Sequence, residues 1–309
     1  MNHVIEVRNL VKKYGDLTAV NSISFHVEQG EIFGLLGENG AGKTTTLEII
    51  EGLRAATEGD ATVLGHDIKR EVSAIKQRIG VQLQASSYYR FLNLREMLSL
   101  FGSFYTRSAD PMELLSMVNL TEKAGAFVSQ LSGGQRQRFS IAASLINDPE
   151  IVFLDEPTTG LDPHARRNLW GLVTGIRNRG KTVVITTHYL EEAEFLCDRV
   201  AIMDRGSIIA MDQTHRLVES IQYPYTVVFT ATTAADAAAA QLETFCKVER
   251  RAGRSDSFQV RLSSADDLPK TLDIVRTTDA LGMTVRPASL EDVFLELTGK
   301  VIDEDATSD

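Results

Sequence analysis

Gly37, Gly42, Lys43 and Thr44 stand at the spacing G-x-x-x-x-G-K-[ST], inside the run Gly37-Glu38-Asn39-Gly40-Ala41-Gly42-Lys43-Thr44-Thr45. Glycines at this spacing let the backbone turn its N–H groups inward around phosphate oxygens. A helix opening near Thr44 adds the positive end of its dipole. The Lys43 ammonium can bridge β- and γ-phosphates, and the Thr44 hydroxyl can face Mg²⁺. Further on, the apolar run Ile151-Val152-Phe153-Leu154 ends in Asp155 and Glu156. Acids at the C-terminal tip of a buried strand stand where α/β sheets hold ligands. Asp155 suits a metal there, and Glu156 suits an attacking water. Val183-Val184-Ile185-Thr186-Thr187 ends in the same way at His188. Leu131-Ser132-Gly133-Gly134-Gln135 is a second glycine-rich turn before a helix, and so a second phosphate-binding candidate. One chain cannot easily set two such loops on one nucleotide from opposite sides.

These residues need a particular scaffold. Ile32-Phe33-Gly34-Leu35-Leu36 is continuously apolar, as in a strand buried on both faces, and it runs straight into the first glycine-rich loop. Thr44 to Leu53 then reads as a helix, which gives the strand–loop–helix context that the motif requires. Val4–Leu10 and Ile23–Val27 alternate as strands. From about Arg70 to Val128 the pattern is mostly helical, with strand signal only at Ile79–Leu83. Leu92, Leu94, Met97, Leu98 and Phe101 fall at helical spacing there. Ser132 is placed to cap a helix running to about Asn147. Strand-like runs at Ile151–Leu154, Thr182–Thr186 and Val200–Met203 flank a helix from Pro163 to Arg179, which predicts a mainly parallel α/β sheet. The pattern restarts after Tyr223-Pro224-Tyr225. Strands are expected at Tyr225–Phe229, Phe258–Leu262 and Thr284–Arg286. Helices are expected at Ala234–Cys246, Leu268–Leu281 and Leu290–Leu297, making a small α+β domain.

The 309 residues allow about two domains. With 43% hydrophobic and 24% charged residues, a core can form. The net charge of −10 argues against a nucleic-acid partner, and part of the acid lies in Asp303–Asp309, read as a solvated tail. Cys197 and Cys246 fit no metal or redox spacing and read as reduced core thiols, which suits a cytosolic protein. The N-terminus does not resemble a signal peptide, and no window approaches about 18 consecutive apolar residues. His188 and Glu191 could imitate metal ligands, but no third ligand has suitable spacing. His164 and His66 read as surface residues.

Over roughly residues 4–217 the chain resembles the nucleotide-binding subunits of ATP-binding-cassette (ABC) transporters. The motifs appear in order. Tyr14, in Lys13-Tyr14-Gly15, matches the aromatic that stacks on adenine. Gly37, Asn39, Gly40, Ala41, Gly42, Lys43, Thr44 and Thr45 match the phosphate loop. Gln84 matches the glutamine that touches Mg²⁺ and water and faces the membrane subunit; Gln82 is the alternative, because Leu83 stands where the family often has proline. Leu131–Gln135 matches the signature sequence. Asp155 and Glu156 match the metal-binding acid and the catalytic glutamate. Gly160-Leu161-Asp162 matches the loop that crosses the dimer, and His188 the histidine on the γ-phosphate. The segment from Pro287 to Gly299 is similar to the end of ATPases from type-two ABC exporters.

The resemblance implies a P-loop NTPase fold: a mainly parallel sheet with an antiparallel β part and a helical insertion, plus a small α+β C-terminal domain. The expected boundaries are 1–222 for the cassette, with the insertion at about 85–130, then 223–300 for the accessory domain and 301–309 for the acidic tail. The implied ligands are ATP and Mg²⁺, with Thr44, Gln84 and Asp155 on the metal. Lys43, Gln84, Glu156 and His188 are the expected catalytic residues. Ser132, Gly134 and Gln135, with Asp162, are expected to reach nucleotide held by a second copy in a head-to-tail dimer. A separate permease is the expected membrane partner, which would hold the chain at the cytoplasmic face and set the cargo. Soluble ABC ATPases that work on ribosomes or DNA usually carry two cassettes or a long coiled-coil insertion, and neither is present. A kinase or GTPase lacks the signature, and no Asn-Lys-x-Asp sequence occurs. The accessory domain reads as regulatory or dimer-supporting.

Overall fold

A computed structural model describes residues 2–82, 88–250 and 256–299. Gln84 and the expected acidic tail fall outside them. Contacts divide the chain into one unit running to Thr214 and a second from His215, an earlier division than the expected start at residue 223.

The first unit opens with β1 (His3–Tyr14), β2 (Leu17–Glu28) and β3 (Ile32–Leu36), then α1 (Lys43–Ile50). It continues through β4 (Glu58–Val63), β5 (His66–Asp67), α2 (Val72–Lys76) and β6 (Ile79–Gln82). Two helices follow, α3 (Leu94–Gly102) and α4 (Pro111–Met117), and then α5 (Gly133–Ser144) and β7 (Ile151–Asp155). The rest is α6 (Pro163–Asn178), β8 (Thr182–Thr187), α7 (Leu190–Leu196), β9 (Arg199–Asp204) and β10 (Ser207–Gln213).

Six strands lie in the order β10-β9-β3-β8-β7-β6, parallel except at β10. The apolar runs explain this: β3 and β7 are buried at every residue, as strands covered on both faces must be. A separate antiparallel sheet runs β2-β1-β4-β5. The two sheets share one core around α1, in which the Phe25 and Phe33 rings stack 5.4 Å apart. Register then sets the site. Leu36 pairs with Thr187, and Asp155 pairs with Thr186, so three strands end side by side.

Caps place the helices. Ser132 accepts from the Gln135 backbone N–H while the Gln135 side chain accepts from the Ser132 N–H, a reciprocal box that starts α5. Asn93 and Glu96 form the same box at α3, and Asp110 caps α4 ahead of Pro111. The strands β4, β5 and β10 were not anticipated from the pattern; β4 begins Glu58-Gly59-Asp60, too polar for a strand signal.

The second unit contains most of α8 (Thr214–Glu219), then β11 (Tyr225–Thr230), α9 (Ala235–Leu242), β12 (Lys247–Arg250) and β13 (Ser257–Leu262). It closes with α10 (Leu268–Arg276), β14 (Leu281–Pro287) and α11 (Leu290–Thr298). Its antiparallel sheet, β12-β13-β11-β14, carries its own core around Phe229, Phe258 and Leu242. The expected helix Leu268–Leu281 stops at Arg276 because the chain turns at Asp279, whose φ is 48°. Leu281 instead opens β14, which starts earlier than expected.

Candidate active site

The loop after β3 is shaped by glycine. Gly42 caps α1 at φ 100°, and a Cβ there would lie 2.4 Å from the Ala19 carbonyl oxygen. A Cβ on Gly37 would lie 2.4 Å from the Met203 carbonyl oxygen. Only glycine fits both the left-handed turn and the close approach. The first residues of α1 therefore point their N–H groups into the loop, as an anion site requires.

Lys43 is buried, and its Nζ donates to the Gly37 and Glu38 carbonyls at 2.8 and 3.1 Å. Its Nζ also lies 3.3 Å from Glu156 Oε1. Burial lowers the Lys43 pKa, and the Glu156 charge opposes that shift. Burial would raise the Glu156 pKa, but His188 and Lys43 outweigh it and hold the carboxyl down at about 2. Glu156 is thus firmly ionised, and what it gains from the pair is offset by the desolvation of Lys43.

Asp155 ends β7 and accepts from two hydroxyls: Thr44 Oγ1 at 3.2 Å and Thr186 Oγ1 at 2.5 Å. Burial raises its pKa, and the two hydroxyls oppose the rise. Thr186 Oγ1 also accepts from the Glu156 backbone N–H at 2.9 Å, so one hydroxyl ties both acids. Glu156 itself sits at φ 45°, held there by this bond and by the Thr186 carbonyl at 3.2 Å. His188, just past β8, brings Nδ1 to 3.4 Å from Glu156 Oε2, and Thr159 Oγ1 donates to the same oxygen at 3.2 Å. Behind this row, Trp170 Nε1 donates to the wholly buried Glu192 at 3.0 Å.

A cavity of about 370 Å³ opens over this edge, lined by Tyr14, Asn39, Gly40, Gly42, Lys43, Thr44, Thr45 and Glu156, with Leu17 and Ala19. Tyr14 is partly exposed, with Lys12 Nζ 5.0 Å and Arg54 5.4 Å from its ring centroid. Ser132, Gly134 and Gln135 do not line this cavity. A Cβ on Gly134 would instead lie 3.7 Å from Ala165 and 3.9 Å from Leu161. Asp162 caps α6 through the Ala165 N–H at 2.9 Å. The signature loop and the Gly160–Asp162 loop are therefore neighbours. The alternative glutamine, Gln82, is buried on β6.

Residues 20–159 match the family described as ABC transporter. The chain is 39% identical over 301 residues to Nod factor export ATP-binding protein I of Burkholderia orbicola, covering 96% of this chain and 97% of that one. The chain belongs to the ABC transporter ATP-binding proteins. It is 38% identical to the protein of the same name from Sinorhizobium fredii, covering 96% of this chain and 86% of that one. Among solved structures, a dimeric post-hydrolysis state of an ATP-binding cassette bound to ADP and Pi shares 29% identity at a TM-score of 0.62. That likeness covers 68% of this chain and 98% of the cassette. This ABC ATP-binding protein is an ATPase of P-loop α/β fold. Among its described residues no helix is long and apolar enough to cross a membrane.

Three parts of the site were not seen in the sequence. Thr186 and Thr159 gain their roles from strand register and a turn. Glu51, at the end of α1, is a buried acid whose pKa is pushed up to about 8 by burial and by the charges of Asp155 and Glu48. An acid inside a helical apolar pattern was the available signal.

Proposed function

We propose that this protein is the ATP-hydrolysing subunit of an ABC exporter, in which two copies close head to tail around two ATP molecules and drive a separate membrane permease. One observation carries the reading: the cavity that joins Tyr14, Lys43, Thr44 and Glu156 contains no residue of the signature loop. A second copy can supply Ser132, Gly134 and Gln135, whose partly exposed loop stands beside Gly160–Asp162. A solved dimeric relative bound to ADP and Pi supports this assembly, and relatives named for Nod factor export support the direction of transport.

In this reading Tyr14 offers its ring to adenine, and the α1 N-terminus with Lys43 takes the phosphates. Thr44 and Asp155 offer two hard oxygens 3.2 Å apart, a donor set that fits Mg²⁺; Gln84, outside the described residues, is the third ligand that the family resemblance implies. A cation bound there would neutralise negative charge on the phosphates. Glu156 orients and deprotonates the attacking water. The phosphates compete with Glu156 for Lys43, so the carboxylate becomes more basic as nucleotide binds. His188 remains beside it to reach the γ-phosphate.

Docking of the permease is supported by an open groove of about 360 Å³ beside α5, rimmed by Tyr89, Arg90 and Phe127. Tyr89 is 61% and Phe91 91% exposed, aromatic area that a membrane subunit would cover. Such docking places the protein at the cytoplasmic membrane face, and cargo choice lies in the permease. The second unit supports the dimer; the exposed row Leu281, Met283 and Val285 on β14 is consistent with that role.

Mixing tests the shared site. Ser132→Arg and Lys43→Ala homodimers should each be inactive. Randomly paired, half the dimers are mixed and keep one intact site, so about a quarter of wild-type ATPase activity should return. A mixture that forms dimers without regaining activity contradicts the proposal.

A further inference from the structure

We propose that His3, His26 and Glu28 form a binding site for a divalent transition-metal ion, of which zinc is the archetype, on the polar face of the β1–β2 ribbon. Among the described residues these three side chains are the one group whose ligand atoms converge, all lying within 4.8 Å of one another.

Strand pairing creates the group. His3 stands opposite Glu28, and Glu6 stands opposite His26. His26 and Glu28 are two residues apart on one strand and so share a face. His3 and Glu6 are three apart, which in a regular strand puts them on opposite faces. A register shift between His3 and Ile5 removes that mismatch. Val4 and Ile5 are both buried there, and His3 emerges on the same side as Glu6 and His26. The two imidazoles then lie 4.1 Å apart, centroid to centroid, 23° from parallel.

The donor chemistry suits a borderline-soft cation. Two imidazole nitrogens and one carboxylate oxygen are a common three-ligand set for zinc and leave a fourth position for water. Ligands about 2.0–2.1 Å from a tetrahedral zinc are roughly 3.3 Å from each other, so binding requires the two stacked imidazoles to swing out of their near-parallel arrangement until both nitrogen lone pairs meet on one ion. Metal binding needs neutral imidazoles. The neighbouring cations are already occupied: Arg199 bonds Glu31 at 3.0 Å, and Arg8 bonds Glu6 at 2.7 Å. Glu6 Oε1 lies 3.6 Å from His3 Nδ1, where it can orient that ring or take the fourth position.

The site is distinct from the nucleotide cavity, to which β1 contributes only Tyr14 at its other end. A bound ion would cross-link the first strand to the edge strand beside it.

The test uses the full chain without a histidine tag, stripped by chelator and free of nucleotide, titrated with ZnCl₂ by calorimetry. Co²⁺ absorption in the visible gives a second readout. One zinc per chain is expected, with a zinc-dependent rise in Tm. His26→Ala and Glu28→Gln should each weaken binding about tenfold or more and abolish the Tm rise. His188→Ala and His66→Ala should keep both. Wild-type protein that takes up no zinc at about 0.1 mM overturns the assignment. So does unchanged binding in a folded His3→Ala/His26→Ala double variant, which would locate the ion elsewhere.

Discussion

Glu51 allows a quantitative test of how the cassette core is built. Glu51 is 1% exposed, and neither carboxyl oxygen has a hydrogen-bond partner among the described residues. Its pKa is raised from 4.5 to about 8, first by burial and then by the charges of Asp155 and Glu48. Between those values the folded chain holds a proton that the unfolded chain releases, so stability falls as pH rises. At pH 7 the difference spans about 2.5 pH units at about 1.4 kcal/mol each, or ~3 kcal/mol, whereas at pH 5 it is under about 1 kcal/mol. Glu51→Gln keeps the shape and removes the titration. The variant should therefore be more stable than wild type, by an amount that grows about 2–3 kcal/mol from pH 5 to pH 7. For a unit of this size that is a Tm advantage widening by roughly 4–8 °C or more. Trp170 is the single tryptophan and is buried in the same unit, so its fluorescence follows the relevant transition. Nucleotide-free protein should be used, since ligand shifts the same equilibrium. An advantage that does not change between pH 5 and pH 8, or a variant less stable than wild type at pH 7, refutes a neutral buried Glu51.

Gly42→Ala places a methyl 2.4 Å from the Ala19 carbonyl oxygen at φ 100°. It should abolish ATP binding by calorimetry and cost at least about 1–3 kcal/mol of stability. Trp170→Phe leaves the buried Glu192 without its indole donor and opens space beside it. A loss of about 2–4 kcal/mol is expected by circular dichroism, and a loss under about 0.5 kcal/mol would remove Glu192 from the support of the His188 row.

What the sequence makes legible is what lies close together along the chain. The glycine loop, the Asp155–Glu156 tip and the Ser132–Gln135 turn are each contiguous, and each motif contains its own reason for its local shape. The strand–loop–helix order around Gly37–Lys43 was likewise readable, because β3 is apolar at every position. Contacts made by register are different. Nothing near Thr186 announces that its hydroxyl will bridge Asp155 and the Glu156 N–H, since that depends on Asp155 pairing with Thr186 across β7 and β8. His3 and His26 meet only because β1 carries a shift between His3 and Ile5. In the second unit, β12 reads Lys247-Val248-Glu249-Arg250 and was missed because edge strands tolerate charge on both faces.

The central claim is that Glu156 activates water at a site completed by a second copy. Glu156→Gln keeps the side-chain volume while removing the carboxylate that lies 3.3 Å from Lys43 and 3.4 Å from His188. The direct measurement is ATP turnover of this variant beside its mass by light scattering, with and without ATP and Mg²⁺. The account predicts turnover reduced about 100-fold or more, with ATP still bound and the protein trapped as a dimer only when ATP is present. Turnover at the wild-type rate, or tight ATP binding by a chain that stays monomeric, would contradict it.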